Sequence, residues 1–320
     1  MTAGGLPLLL THPACEFHQA PEHPERPERL AAIYEAVAAD PDLRDLPRRQ
    51  PEMLSQERIA ALHNPGYVEA IFQAGALADE RGLGSWLDPD TWLGPSSLDA
   101  ALASAGGAAA TVDTVLNGEH LSAFCFGRPP GHHATAGRAM GFCLFNNVAL
   151  AAQAALDRGL ERVAIVDFDV HHGNGTQDIF YSRSDVLYMS CHQYPLYPGT
   201  GAANERGTGR GEGYTVNVPM AAGGGQVEYL GVFDEAFLPA LREYRPELLL
   251  VSAGFDAHHN DPLAQMELDS SDYGLLSGRL KGAAADLCEG RSAWVLEGGY
   301  DLRALAESTV SVLRDLSGLT

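Results

Sequence analysis

The sequence predicts an α/β fold in which a parallel sheet lies between layers of helices, and three observations point to it. Apolar runs of strand length alternate with helical patterns along most of the chain. The chain has 320 residues, 45% of them apolar, and no linker interrupts the alternation, so residues 1–320 read as one domain around one large core. The uncommon residues, histidines and aspartates in glycine-bearing loops, fall just past the carboxyl ends of the strands, where open α/β sheets bind their ligands.

Residues 6–11 (LPLLLT) read as a first buried strand, followed by a loop rich in proline and histidine. That loop ends at a helix over residues 27–39, with Pro27 suited to its first turn. Helical patterns occupy 55–63 and 65–75, and residues 82–97 form a long polar loop whose Trp86 and Trp92 argue against disorder. An alanine-rich helix over 98–116 carries Gly106 and Gly107, a sign of close packing on a neighbour. Strand 121–126 leads through RPPGHHATAGRAMGF to helix 145–156, and strand 162–169 leads to helix 175–182. Strand 186–191 precedes a glycine-rich loop, strand 214–218 precedes helix 226–244, and strand 247–254 precedes helix 271–288. Strand 292–299 and helix 302–317 complete a count of seven strands, with room for an eighth.

Chemistry concentrates in ERVAIVDFDVHHGNGTQDIFY, residues 161–181. The β-branched run at 162–168 suits a strand buried on both faces, and then it turns acidic. Buried carboxylates are costly unless paired or bound to metal, so Asp167 and Asp169 need an external reason. In extended backbone Asp167, Asp169 and His171 point the same way. Carboxylate with imidazole suits zinc, with ferrous iron or manganese behind it; the bland alternative is a structural turn with a hydrogen-bonded aspartate.

Charge and cysteine usage bound the rest. Net charge is -21 with Lys281 the one lysine, so direct nucleic-acid or anionic-membrane binding is not expected. The acidity itself reads first as a solubility feature. Five scattered cysteines without a Cys-x-x-Cys pair fit a reducing compartment. The opening MTAGGLPLLLTHP lacks a basic n-region and its apolar run is short, so a cytoplasmic enzyme is the expectation.

Three more loops carry candidate groups. His132 and His133 stand side by side in RPPGHHA, just past a strand. In SAGFDAHHNDPL, Asp256 follows a strand end and supplies a third ligand to Asp169 and His171, leaving a position for water as catalytic zinc sites do. In EGGYDL, Tyr300 follows two flexible glycines and can offer a phenol to a developing oxyanion.

Together RPPGHHA, GFCLFNN, VDFDVHHGNGTQDIFY, SAGFDAHHNDPLAQM and EGGYDL resemble the motif set of the zinc-dependent histone deacetylase superfamily. The likeness is to its class II branch, to bacterial histone deacetylase-like amidohydrolases and to acetylpolyamine amidohydrolases, and it includes HPERPERL near the start. It implies the arginase/deacetylase fold around an eight-stranded parallel sheet between helix layers, and zinc held by Asp169, His171 and Asp256. It further implies His132 and His133 as the tandem histidines, Tyr300 as the oxyanion tyrosine, and Gly141, Phe142 and Tyr197 along an acyl-lysine tunnel. Arg29 matches an arginine of an internal acetate-release pocket. A structural potassium ion is implied at Asp167, the Ser190 hydroxyl and the main-chain oxygens of Asp169, His171 and Cys191.

The residues account for an amide hydrolysis on their own terms. Zinc supplies a Lewis acid and an activated water, His133 takes the water's proton and returns it to the leaving amine, and His132 acts electrostatically, oriented by Asp167. Asn174 backs His133 where class I relatives have aspartate, which predicts a lower His133 pKa than theirs.

An arginase-like hydrolase, which pairs manganese ions, needs an aspartate where this chain has Gly173, and His258 alone does not make a second metal site. Leu263 stands where polyamine-specific class II relatives have glutamate, which favours acyl-lysine over acylated polyamine. Bacterial acetylpolyamine enzymes narrow their entrance by dimerising, so a homo-oligomer stays open. A non-catalytic acyl-lysine-binding protein would have lost a metal or proton-transfer residue, and none is lost.

Overall fold

The computed structural model describes residues 5–319. The strands are β1 (Leu8–Leu10), β2 (Arg48–Arg49), β3 (Ser85–Trp86), β4 (Trp92–Leu93), β5 (Ser122–Cys125), β6 (Val163–Asp167), β7 (Val186–Gln193), β8 (Thr215–Met220), β9 (Leu248–Ala253) and β10 (Ser292–Leu296). Eight of them form one sheet in the order β2-β1-β5-β10-β9-β6-β7-β8, every pairing parallel. The seven strands legible in the residues are all present; the eighth, β2, is a two-residue edge whose exposed arginines give no apolar pattern to read.

Helices cover both faces. On one side lie α1 (Glu28–Ala39), α7 (Gln226–Val232), α8 (Leu238–Tyr244), α9 (Ser270–Leu287) and α10 (Leu302–Leu316). On the other lie α4 (Ser97–Leu116), α5 (Asn147–Asp157) and α6 (Asn174–Phe180), with α2 (Gln56–Ala60) and α3 (Pro65–Arg81) packed outside α4. The central strands feed both layers: in β6, Ala164 and Val166 face one core, Val163 and Ile165 the other. That two-sided burial is why the run reads as continuously apolar rather than alternating.

Local signals explain the helix ends. Asn64 caps α3 by accepting the Gly66 N–H, Pro65 opens it, and Gly82 closes it in a left-handed conformation (φ 63°). In α4 a side chain at Gly106 would fall 2.0 Å from the Glu52 carbonyl oxygen, so the close approach foreseen there is a backbone-to-backbone contact. Three elements differ from expectation, the first being α3, which runs on to Arg81 where the apolar pattern suggested an end at 75. The 82–97 loop contains the antiparallel pair β3–β4, too short to show periodicity. The helix over 226–244 is broken by a π-helical stretch, Phe233–Phe237, where Pro239 has no N–H to offer the preceding turn.

The sheet order positions the chemistry. Strands β5, β10, β9 and β6 are neighbours although far apart in sequence, so their carboxyl-end loops meet. Among the described residues no helix is long and apolar enough to cross a membrane.

Candidate active site

Asp169, His171 and Asp256 converge, their donor atoms all within 4.8 Å of one another. His171 Nδ1 lies 3.2 Å from Asp169 Oδ1 and 3.0 Å from Asp256 Oδ2. The outer oxygens are fixed by backbone: Asp169 Oδ2 accepts the Gly298 N–H (2.8 Å) and Asp256 Oδ1 accepts the Val170 N–H (2.9 Å). Glycine is required around this cradle, since a Cβ at Gly254 would sit 2.1 Å from Asp169 Oδ2, and one at Gly298 would sit 2.1 Å from Asp256 Oδ2.

The donor set fits a divalent cation. Burial alone would lower the His171 pKa, but hydrogen bonds and charge from Asp169 and Asp256 push it up to about 10. Burial raises Asp256, and the neighbouring Asp169 carboxylate raises it further. Two buried carboxylates therefore draw positive charge to one point, which a metal ion meets better than a proton.

Beside this centre stand the tandem histidines, their rings 4.1 Å apart. His132 Nδ1 is 3.0 Å from Asp167 Oδ2, which also accepts the Tyr188 hydroxyl (3.1 Å). His133 Nδ1 is 2.8 Å from Asn174 Oδ1. Their environments push them apart. Burial disfavours charge on His132, yet Asp169 and Asp167 outweigh it and raise its pKa well above the ordinary histidine value. Burial lowers His133 well below that value, and the charges of His132 and His171 lower it further.

A cavity of about 240 Å³ leads to this point, lined by Asp90, His133, Gly141, Phe142, His171, Leu196, Tyr197, Leu263 and Tyr300. Its walls are aromatic: Phe142 meets Tyr300 edge-on at 5.7 Å, and Tyr197 meets His133 edge-on at 5.0 Å. Trp86 is half exposed, its ring 5.9 Å from that of His23, whereas Trp92 packs against Gly84 and Gly94 beneath the loop.

Several residues that shape the site carried no sequence signal of their own. Asp261 accepts the Tyr300 N–H (2.7 Å), and burial followed by the Asp256 charge pushes its carboxyl up to about 7. Glu297 accepts the N–H groups of Gly131 (2.7 Å) and His132 (3.2 Å) and the Ser252 hydroxyl (3.1 Å). Asn146 Nδ2 donates to the Ala134 carbonyl (3.0 Å), and its Oδ1 caps α5 by accepting the Ala149 N–H (3.0 Å). EGGYDL and GFCLFNN stand out as motifs, but which atoms Glu297 and Asn146 reach depends on the strand order. Arg29 is fully buried; it donates to the carbonyls of Gly299 (2.7 Å) and Glu297 (2.5 Å) and lies 5.0 Å over the Tyr300 ring. It therefore fastens the turn that presents Tyr300.

Ser190 pairs in register with Asp167 across β6 and β7. His192 Nε2 donates to the Gly201 carbonyl (2.9 Å), so its Nδ1 accepts the Ser190 hydroxyl proton (2.9 Å) and the Ser190 oxygen lone pairs stay free. Cys191 is buried next to Ser190 in the same strand.

His258, His259 and Asp269 also come together, near the surface. There His258 Nδ1 accepts the Asn260 N–H (3.1 Å), so Nε2 carries the proton and donates to Ser270 Oγ (3.1 Å). Neither nitrogen of His258 has a lone pair for an ion.

Comparison with known proteins adds an independent line. The family model of the histone deacetylase domain matches residues 23–316. The histone deacetylase-like amidohydrolase of Pseudomonas aeruginosa is 41% identical over 98% of this chain and 82% of its own length. The crystal structure of the HDA15 HD domain superposes with a TM-score of 0.91 at 36% identity, covering 99% of this chain and 90% of that one. The acetylpolyamine aminohydrolase structure from Burkholderia pseudomallei superposes with a TM-score of 0.87 at 32% identity, covering 98% and 99%.

Proposed function

The chain belongs to the histone deacetylase domain family and is a deacetylase, a hydrolase of amides; from that premise we propose that it uses one zinc ion to remove acyl groups from acyl-lysine side chains. One observation carries the reading: Asp169, His171 and Asp256 converge at the base of an aromatic cavity, with His133 and Tyr300 lining the same cavity. Bound there, zinc supplies Lewis acidity toward the amide carbonyl and toward a water molecule.

The remaining steps belong to this chain's side chains. Asn174 Nδ2 faces the Met140 thioether (3.3 Å), so Oδ1 is the atom toward His133 and accepts its Nδ1–H. That leaves the Nε2 lone pair of His133 to take the water's proton and pass it to the departing amine. His132, whose pKa the Asp169 and Asp167 carboxylates raise against burial, favours positive charge beside the reacting centre. The Tyr300 hydroxyl donates to the carbonyl oxygen as it gains charge. Phe142, Tyr197, Gly141 and Leu263 line the cavity that takes the methylene chain. The structural potassium ion belongs at Asp167, Ser190 and the main-chain oxygens of Asp169, His171 and Cys191, and the free lone pairs on Ser190 support that placement.

The second reading is an acylated polyamine, favoured by the Asp90 carboxylate at the mouth, which could meet a distal ammonium. Leu263 favours acyl-lysine, since an apolar side chain there adds no charge to read a second amine. Five buried free cysteines fit a cytoplasmic setting. Purified protein assayed against acyl-lysine peptides and acetylated polyamines, with and without added zinc, tests the proposal. Hydrolysis of the peptides that a hydroxamate abolishes is expected; hydrolysis that a hydroxamate leaves untouched would contradict it.

A further inference from the structure

We propose that Thr91 is a positioning residue for substrate binding: with Asp90 it latches the left-handed Gly141–Phe142 turn and so sets the aromatic wall of the cavity. This rests on the reading of that cavity as the substrate tunnel.

The turn needs a latch. Gly141 (φ 57°) and Phe142 (φ 71°) both occupy the left-handed region, which is costly for phenylalanine and persists only where surrounding contacts over-determine it. It also runs against the proposed base, for a Cβ at Gly141 would fall 2.4 Å from His133 Cδ2. A backbone pair between Met140 and Cys143 (3.0 and 3.2 Å) closes the turn, and the contacts that hold its outward amides come from the connection between β3 and β4. Asp90 Oδ1 accepts the Gly141 N–H (3.1 Å) and Thr91 Oγ1 accepts the Phe142 N–H (3.1 Å). The Thr91 hydroxyl proton goes to Asp90 Oδ1 (3.1 Å), which joins the two acceptors into one unit. Thr91 is fully buried, and its own N–H and that of Asp90 are fixed on Asp88 Oδ1 at 2.7 and 3.0 Å.

The latch extends to the first loop. His23 Nδ1 accepts the Glu25 N–H (3.1 Å), so its Nε2–H donates to the Asp90 carbonyl (3.2 Å). The same ring meets Phe142 edge-on, centroids 4.4 Å apart. Phe142 is thus held by its amide from the hairpin and by its ring from the first loop. The β3–β4 hairpin, which looks like rim decoration, sets the tunnel's width.

Thr91→Val removes the acceptor while keeping the shape, and Thr91→Ser restores it. The first readout is hydrogen exchange at the amides of Gly141 and Phe142, which needs no catalysis. Exchange about tenfold faster in Thr91→Val, with Thr91→Ser like wild type, is expected because the half-buried Phe142 amide loses its partner. The second readout is the KM for an acyl-lysine peptide, expected to rise at least about fivefold in Thr91→Val with kcat changed far less, and to return in Thr91→Ser. Should the valine protein fail to fold, Thr91→Ala is read the same way. Unchanged exchange overturns the latch, faster exchange with unchanged KM overturns its role in substrate binding, and a serine variant no better than valine overturns the part of the hydroxyl. Absence of hydrolysis in the wild type would instead fail the functional reading, with exchange still deciding the latch.

Discussion

His133 shows how one neighbour sets a catalytic group. An uncharged amide oxygen, Asn174 Oδ1, holds its Nδ1–H, so the imidazolium gains no carboxylate partner on that side. Burial is the largest influence and lowers its pKa well below the ordinary value. A base must be unprotonated to act, so the rising acid limb of the pH–rate profile follows His133. Asn174→Asp adds a negative charge at 2.8 Å, favours the imidazolium and should move that limb to higher pH by roughly one unit or more. A kcat/KM profile superimposable on wild type would contradict this assignment. That Asn174 mattered was legible only through the motif resemblance, because nothing in a glycine-flanked asparagine announces which histidine it will face. The tautomer of that histidine follows from Met140, seven residues along its own loop, which fixes the amide orientation of Asn174.

The loops at the strand ends are held by buried charge. Glu25 is fully buried between Arg128 and Arg29, with Arg128 donating through Nε and, at 2.7 Å, through Nη2. Burial would raise the Glu25 pKa, but the charge of Arg128, then those of His18 and Arg29, hold it down at about 2. A depressed carboxyl stabilises the fold above its ordinary pKa of 4.5 and loses that contribution as pH falls through 4.5 toward about 2. Glu25→Gln should therefore cost about 3–5 kcal/mol at pH 7, since it strands a buried arginine. In denaturant titrations the gap between the two proteins should narrow as pH falls below 4.5; a gap independent of pH would refute the ion-pair account. Sequence located this stretch only as HPERPERL. The strands and helices were legible because buried parallel strands and capped helices leave strong patterns, as β6 and α3 do. The pair β3–β4, the edge β2 and the π-helical break were not, because two-residue strands and a single Pro239 leave no period to read.

For the molecule as a whole, the decisive fact is strand order. Aspartates at 169 and 256, histidines at 132 and 133 and a tyrosine at 300 meet because β5, β10, β9 and β6 lie side by side. Each loop's position at a carboxyl end could be read from the sequence. Their adjacency could not be derived from periodicity, since crossovers hide which strands pair, and only the resemblance supplied it. Net charge adds little to this account, because -21 spread over the surface suits any cationic substrate. The central claim is that one ion is held by Asp169, His171 and Asp256. Anomalous scattering at the zinc edge from crystals of zinc-replete protein measures this directly. A single strong peak bonded to those three side chains is expected, absent in Asp256→Asn, and a zinc-replete protein whose peak lies elsewhere, or which shows none, would contradict the account.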